Sequence, residues 1–276
     1  MTLIKTNGIT SLTPSDFKII STNINRDPII KTENTSEQEP NPDTITRSVE
    51  LPPDLSWTRR LNGTGAESSW LIASGDNSNR SGIKTIEISP ELNGYEKDIQ
   101  GIINASAGMI ENGSDELDKT LKNSNVIFDV SGNIPARLRE LANTDGFKNQ
   151  KSKLLELATK TEKGDINAMT LSGEYKDPVT GETKIIHRML LDANKMSPLA
   201  SALAIIDHEF GHIDRLENQN NSPDRTTEER ETFQKSIKRL EGYEIFLREK
   251  GVNKTADDLK NTIIPREKKY LELYSN

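Results

Sequence analysis

The chain has 276 residues, carries a formal net charge of -7 and contains no cysteine. The missing cysteine excludes disulfide bonds and thiolate metal sites, so a metal ligand has to be a histidine, an aspartate or a glutamate. The acidic charge argues against nucleic-acid binding through phosphate neutralisation, and no basic block suited to an anionic membrane surface is present.

The first 60 residues are a polar leader. Residues 32–48 carry almost no apolar side chains, so they cannot bury enough surface to offset the entropy of ordering. We expect residues 1–60 to be disordered, either as a plain tail or as an export signal. They lack a standard secretory signal, and no apolar run in the chain approaches the ~20 residues of a membrane-spanning helix. The sequence predicts a soluble protein without membrane insertion.

A folded domain is expected over residues 61–276, and its first half alternates strands with helices. Strand-like runs lie at 68–74 and 83–89, on either side of a polar turn. A helical stretch from Gly94 to Asn123 follows, which Asn112-Gly113 divides. The segment at 125–130, NVIFDV, is the best candidate for a central strand, and two short helices follow at 134–143 and 151–160.

Residues 169–194 predict a β-hairpin with its turn at 177–181, and the pattern is helical from there on. Ser197-Pro198 begins a helix that runs to about Asn218, and a second long helix ends at Gly251. A last helical piece covers about 256–273, interrupted at Pro265. Strands mixed with helices, then helices alone, indicate an α+β domain with a small mixed sheet and a mostly helical C-terminal part.

The helix after the hairpin carries His208-Glu209-Phe210-Gly211-His212, an HExxH motif that holds two of the three histidines in the chain. Histidines four residues apart lie on one face of a helix, where both can bind one metal. Neutral imidazole suits zinc, which lowers the pKa of its bound water to about 7, and Glu209 can then accept the proton as the water attacks a carbonyl. The motif predicts a zinc hydrolase; the alternative is two histidines on a solvated helix face.

Zinc needs a third protein ligand, with its fourth position left for water. No histidine follows His212, so this ligand is an acid or comes from elsewhere in the chain. We choose Glu229, near the start of the next helix, with Glu228 and Glu231 as alternatives. Each of the three glutamates could instead complement the dipole at the helix start.

Three further side chains are candidates for supporting roles. His187, on the strand before the HExxH helix, could contact substrate, although a histidine on a strand is more often structural. Asp207 and Asp214 could orient a ligand imidazole. Either aspartate could equally be an ordinary acid on the surface of the helix.

A hydrolase of this kind also needs a donor to the oxyanion of its tetrahedral intermediate. Tyr243 lies too far along the second long helix to reach the metal. Tyr270 and Tyr274 are better placed, because the final helix returns to the level of the metal site, and Arg266 lies one turn before Tyr270. The alternative for these residues is packing on a terminal helix.

The segment from His208 to Phe233 resembles the zincin superfamily in its gluzincin form. Residues 228–233, EERETF, are similar to the Glu-Glu-x-x-Thr-Phe element of clostridial neurotoxin light chains, which implies that Glu229 is the zinc ligand. Residues 85–272 resemble the NleD-like effector peptidases of bacterial type III secretion. Those proteins have a polar export segment, a strand, helix and strand before the HExxH helix, and an Arg-x-x-Tyr-like element near the C-terminus. Residues 265–270, PREKKY, are similar to it with one more residue between arginine and tyrosine, which implies catalytic roles for Arg266 and Tyr270.

The resemblance implies a zincin-like fold and a zinc-dependent endopeptidase with Zn²⁺ as its cofactor. It further implies a virulence effector that is secreted without a signal peptide into host cells, where it cuts a specific host protein. A secretion chaperone on the leader is a second expected partner, and no nucleic acid is expected. Two other functions fit the motif: a zinc hydrolase of cell-wall peptides in competing bacteria, and a non-catalytic binding protein with a structural metal. Glu209 argues against the non-catalytic binding protein, because a structural metal site needs no base.

Overall fold

In a computed structural model of the chain, the described residues are 2–3, 18–21, 84–144, 147, 150–162, 166–176, 183–218 and 224–274. The strand predicted at 68–74, the hairpin turn at 177–181 and nearly all of the leader lie outside these residues. Residues 2–3 and 18–21 of the leader are strands; for the rest of residues 1–60 the predicted disorder stays a prediction, as does the division of the chain at residue 60.

A mixed sheet forms the centre of the fold. Its strands are β1 (Thr2–Leu3), β2 (Lys18–Ser21), β3 (Lys84–Ile88), β4 (Asn125–Ser131), β5 (Ala168–Lys176) and β6 (Thr183–Asp192). Their order across the sheet is β1-β3-β4-β6-β5-β2. β4 runs parallel to β3 and β6, and β5 pairs antiparallel with β6 as the predicted hairpin requires. Residues 126–131 of β4 are all buried, because a central strand with helices on both faces has no solvated side.

The helices of the described residues are α1 (Glu96–Gly113), α2 (Asp115–Asn123), α3 (Ile134–Ala142), α4 (Lys151–Thr161), α5 (Leu199–Glu217), α6 (Arg225–Glu249), α7 (Asn253–Asp258) and α8 (Ile264–Leu273). The helical stretch predicted at 94–123 divides after Gly113, where the Ser114 side chain accepts a hydrogen bond from the Leu117 N–H and caps α2. A π-helical turn, Leu259–Ile263, joins α7 to α8.

The helices cover both faces of the sheet. α3 and α4 pack on one face through a core that includes Leu138, Leu154 and Leu171. α1, α5 and α6 pack on the other through a larger core that includes Phe128 and Phe210. The α+β class, the mixed sheet and the helical C-terminal part are thus as predicted. No helix among the described residues is long and apolar enough to cross a membrane.

α5 is the helix on which the candidate site depends, and it is enclosed on all sides. Every residue from 199 to 213 is buried, and α1, α2 and α6 all pack against it. Charged and polar side chains on this helix are therefore removed from water, so each needs a partner inside the protein. Those partners determine what the site can do.

Candidate metal centre

Three side chains from two helices converge inside the protein. His208 and His212 of α5 bring their Nε2 atoms to 3.1 Å from each other. Oε2 of Glu229, near the start of α6, lies 3.4 Å from the His208 Nε2 and 3.7 Å from the His212 Nε2. Each of these residues is at most 1% exposed. The structure therefore brings together both histidines and the preferred glutamate, in a buried group that could hold a metal ion.

Carboxylates surround the two imidazoles. Burial acts to lower the pKa of His212, but the charge of Glu229, the hydrogen bond that the imidazole donates to Glu228 and the charge of Glu209 outweigh it and raise that pKa. The surroundings of this imidazole therefore favour a positive charge at this position. A metal cation satisfies that preference as a proton does.

The three glutamates at the start of α6 have different partners. Glu229 faces both histidines, as described above. Oε1 of Glu228 lies 3.1 Å from the His212 Nδ1. Because a carboxylate only accepts, this contact places the imidazole proton on Nδ1 and leaves the Nε2 lone pair for a metal. Glu231 points outward, with a side chain 45% exposed, and pairs with Arg215.

Glu209, the predicted base, is fully buried beside the histidines. Its Oε2 accepts a hydrogen bond from the Thr170 hydroxyl of β5 at 2.8 Å. Its Oε1 is buried and has no hydrogen-bond partner among the described residues. Since a buried carboxylate oxygen without a donor is costly, this oxygen marks where a proton donor belongs. Thr170 could not be found from the sequence, because nothing in a strand pattern identifies the residue that faces a distant helix.

The last helix approaches the site through a cluster of aromatic rings. The Phe233 ring lies 4.4 Å from the His208 imidazole, centroid to centroid. The rings of Tyr270 and Tyr274 lie 6.1 Å and 5.6 Å from that of Phe233. Tyr270 is thus one ring away from a candidate ligand. Arg266 is half-buried and donates to the glutamate that follows it on α8 at 2.9 Å. The catalytic roles of Arg266 and Tyr270 stay predictions.

His187 is structural. It is fully buried, its Nδ1 lies 2.8 Å from the Ser172 hydroxyl, and its Nε2 lies 3.2 Å from Oε1 of Glu217. Both ring nitrogens therefore have protein partners. This favours the structural role of His187 over a contact with substrate. The bonds tie β5 and β6 to the end of α5.

The two aspartates of α5 hold neighbouring helices. Asp214 accepts a hydrogen bond from the Thr120 hydroxyl of α2 at 2.6 Å, and Asp207 accepts from side chains of α6. We considered these aspartates as residues that could orient a ligand imidazole. At His212, the carboxylate in that position is Glu228.

No protein-family model, no curated protein and no solved structure matches this chain. The chemistry of the site is therefore the basis for a functional assignment. That chemistry consists of a buried set of two imidazoles and one carboxylate, next to a second carboxylate that has one oxygen without a partner in the described residues.

Proposed function

We propose that the protein is a zinc-dependent endopeptidase. His208, His212 and Glu229 are the zinc ligands, and Glu209 is the general base. One observation carries the proposal: the ligand set lies in the same buried part of α5 and α6 as Glu209, whose Oε1 has no hydrogen-bond partner in the described part of the chain. A site that only stored or displayed a metal would not need an additional buried carboxylate there.

The spacing of the donor atoms suits zinc. Bonds of about 2.0–2.1 Å in tetrahedral geometry put the ligand atoms about 3.3 Å apart, and the three separations here are 3.1, 3.4 and 3.7 Å. Two imidazoles and one carboxylate are a set that zinc hydrolases use, whereas calcium and magnesium favour oxygen ligands alone. Zinc bound here would supply a Lewis acid and would lower the pKa of water to about 7.

The proton chemistry belongs to Glu209. Its Oε1 takes a proton from the water that attacks the peptide carbonyl and delivers it to the leaving amine nitrogen as the C–N bond breaks. Thr170 holds the other oxygen, so the carboxylate keeps Oε1 turned to the reaction. Glu228 orients the His212 ring. Tyr270, with Arg266 one turn before it, is the candidate donor to the oxyanion.

The substrate we propose is a host-cell protein. The support for this step is the polar leader, which suits an export signal, and the resemblance of residues 85–272 to secreted effector peptidases. The proposed route is type III secretion, with a chaperone bound to the leader before export. Cell-wall peptides of competing bacteria are the alternative substrate, which an activity screen separates directly.

The test begins with the metal content of the purified protein, measured by plasma emission spectrometry for the wild type, Glu229→Ala and Glu209→Gln. We expect about one zinc per chain in the wild type and in Glu209→Gln. Zinc should be sharply reduced in Glu229→Ala, because only this variant removes a proposed ligand. A wild type that takes up no zinc, even after refilling, would refute the proposal.

Cleavage is tested next, with host-cell lysate and muropeptides as separate substrates and mass spectrometry of new chain ends as the readout. Zinc-loaded wild type should produce new ends, and Glu209→Gln should reduce their rate of formation by about 10²–10⁴-fold, the contribution of a general base. Equal cleavage by both proteins would remove Glu209 from the mechanism. New ends in the muropeptides alone would replace the host protein with the cell wall as substrate.

A further inference from the structure

The candidate metal site is divided between two helices, so it depends on how those helices are held. The histidines belong to α5 and Glu229 belongs to α6. An error of 1 Å in the position of a ligand is enough to impair a site of this kind. The side-chain contacts between α5 and α6 therefore bear on metal affinity as well as on stability.

Asp207, the residue before His208, is the centre of those contacts. It is fully buried and accepts four hydrogen bonds from α6. Its Oδ1 accepts from Arg239 Nε at 2.9 Å and from the Tyr243 hydroxyl at 2.8 Å. Its Oδ2 accepts from the Ser236 hydroxyl at 2.7 Å and from Arg239 Nη2 at 3.0 Å. Both carboxylate oxygens are thus engaged, and Arg239 donates to them from Nε and Nη2 together, which fixes direction as well as distance.

The donors lie on the side of α6 that also carries the third ligand. Ser236 and Tyr243 follow Glu229 by 7 and 14 residues, which are whole numbers of helical turns to within about 40°. Arg239, between them, lies within a quarter turn of the same row. Rotation or sliding of α6 that displaced Glu229 would therefore break the bonds to Asp207.

Gly211, between the two histidines, allows the helices to come this close. A Cβ atom at this position would lie 3.0 Å from Thr232 Cγ2 and 3.3 Å from Nη2 of Arg239. The guanidinium of Arg239 therefore passes over Gly211 on its way to Asp207. The close approach and the hydrogen bonds occur in the same turns of α5 that carry the ligands.

We propose that Asp207 and Arg239 are positioning residues of the metal site, and that their bond sets Glu229 against the two histidines. The inference rests on the proposed function for the identity of the metal. An apolar contact of the same volume could give equal or greater stability. It would not define the rotation of α6 as four directed hydrogen bonds do. The network therefore acts on metal affinity beyond its effect on folding.

The experiment measures zinc affinity by competition with a chelator, and stability by urea unfolding of the metal-free protein. Arg239→Lys keeps the charge but loses the fork, and we expect its zinc affinity to fall about 10- to 100-fold, the usual cost of losing support behind a ligand. Tyr243→Phe and Ser236→Ala each delete one donor to Asp207. If Arg239→Lys does not fold, the zinc affinities of these two variants are compared with that of the wild type instead. Both should weaken zinc binding by a smaller factor.

Arg188→Lys is the matched control. Arg188 is also a buried arginine, and it pairs with the carboxylates of Glu87 and Asp129. It lies on the other face of the sheet, together with Arg137 of α3. We expect it to lose stability while its zinc affinity stays within about twofold of the wild type, since distant sites act independently. Visible absorption of the cobalt-loaded proteins gives a second readout, because it reports ligand geometry. The spectrum should change in Arg239→Lys and not in Arg188→Lys.

The outcomes separate the two proposals. If the wild type binds no zinc, the proposed function fails and this inference fails with it. If the wild type binds zinc and folded Arg239→Lys binds it as tightly with an unchanged cobalt spectrum, the positioning role alone is overturned. Equal losses of affinity in Arg239→Lys and Arg188→Lys would also overturn it, because affinity would then follow general stability.

Discussion

The Thr170 hydroxyl donates a hydrogen bond of 2.8 Å to Oε2 of Glu209, across 39 positions of sequence. Both residues are fully buried, so this bond joins the sheet to the HExxH helix out of contact with water. It satisfies one oxygen of the glutamate and leaves Oε1 without a partner among the described residues. The hydrogen bond from the strand thus leaves Oε1 as the oxygen available for the proposed proton transfer.

Replacement of Thr170 by valine should remove that bond at nearly constant volume. Because Oε2 of Glu209 then stays buried without a donor, we expect the metal-free protein to lose about 1–3 kcal/mol of unfolding free energy. Peptide cleavage should fall about tenfold or more, since the base is no longer held in place. Urea unfolding and the rate of appearance of new chain ends measure the two effects. Thr170→Ser, which keeps the hydroxyl, is the control and should retain most of both properties.

The glutamates at 228 and 231 should differ in their effect on zinc. Glu228→Ala removes the acceptor at the His212 Nδ1, and we expect zinc affinity to fall about 10- to 100-fold. Glu231→Ala removes a half-exposed carboxylate that pairs with the buried Arg215 rather than with the histidines, and zinc affinity should stay near that of the wild type. Chelator competition measures both constants. The reverse order would show that the third ligand and its neighbours have been assigned to the wrong glutamates.

The two histidines of the candidate metal group could be predicted from sequence because their relation depends on local helix geometry. The spacing of His208 and His212 places both on one helix face whatever surrounds the helix. Packing of the next helix beside the first left three glutamates as candidates, and the resemblance of residues 228–233 to a Glu-Glu-x-x-Thr-Phe element implied Glu229 among them. The central position of β4 could be predicted in the same way, because its continuous apolar run requires cover on both faces.

The supporting residues could not be predicted, because they depend on register between distant elements. Thr170 reaches Glu209 only because of the way β5 crosses α5, which no local pattern encodes. Asp207 precedes His208 by one position, about 100° around the helix, so it faces α6 at a different level from the ligands. Sequence proximity to a ligand suggested a contact with imidazole, and the helix geometry assigns this carboxylate to Arg239 instead.

Zinc should stabilise the folded protein by an amount that its concentration sets. At a free concentration of 100 times the dissociation constant, we expect the unfolding free energy to rise by about 2.7 kcal/mol. Thermal unfolding with and without zinc measures this, at about 2–4 °C per kcal/mol for a domain of this size. Glu209→Gln should keep the shift, whereas His212→Ala should lose it. A shift that survives in His212→Ala would place the stabilising zinc elsewhere in the chain.

The buried charges on the other face of the sheet should matter for stability alone. Arg188 donates to Oε2 of Glu87 at 2.7 Å and also pairs with Asp129. Arg137 joins the same two carboxylates, with its Nε 2.8 Å from Oδ1 of Asp129. Burial acts to lower the pKa of Arg188, but the charges of Asp129 and Glu87 outweigh it and raise that pKa. The guanidinium is therefore charged at any pH at which the protein is folded, and its two partners depend on that charge.

Arg188→Met leaves two buried carboxylates to share one arginine. We expect a loss of about 3–5 kcal/mol of unfolding free energy, the usual effect of removing one partner from a buried ionic group. Lys254→Met is the control: its ammonium pairs with Asp258, but its side chain is 79% exposed, so its removal should change stability by less than about 0.5 kcal/mol. Urea unfolding in the presence of chelator excludes any contribution from metal. If Arg188→Met cost no more than Lys254→Met, water would have to reach the carboxylates once the arginine is gone, and the two layers of the fold would be less firmly joined than their buried charges indicate.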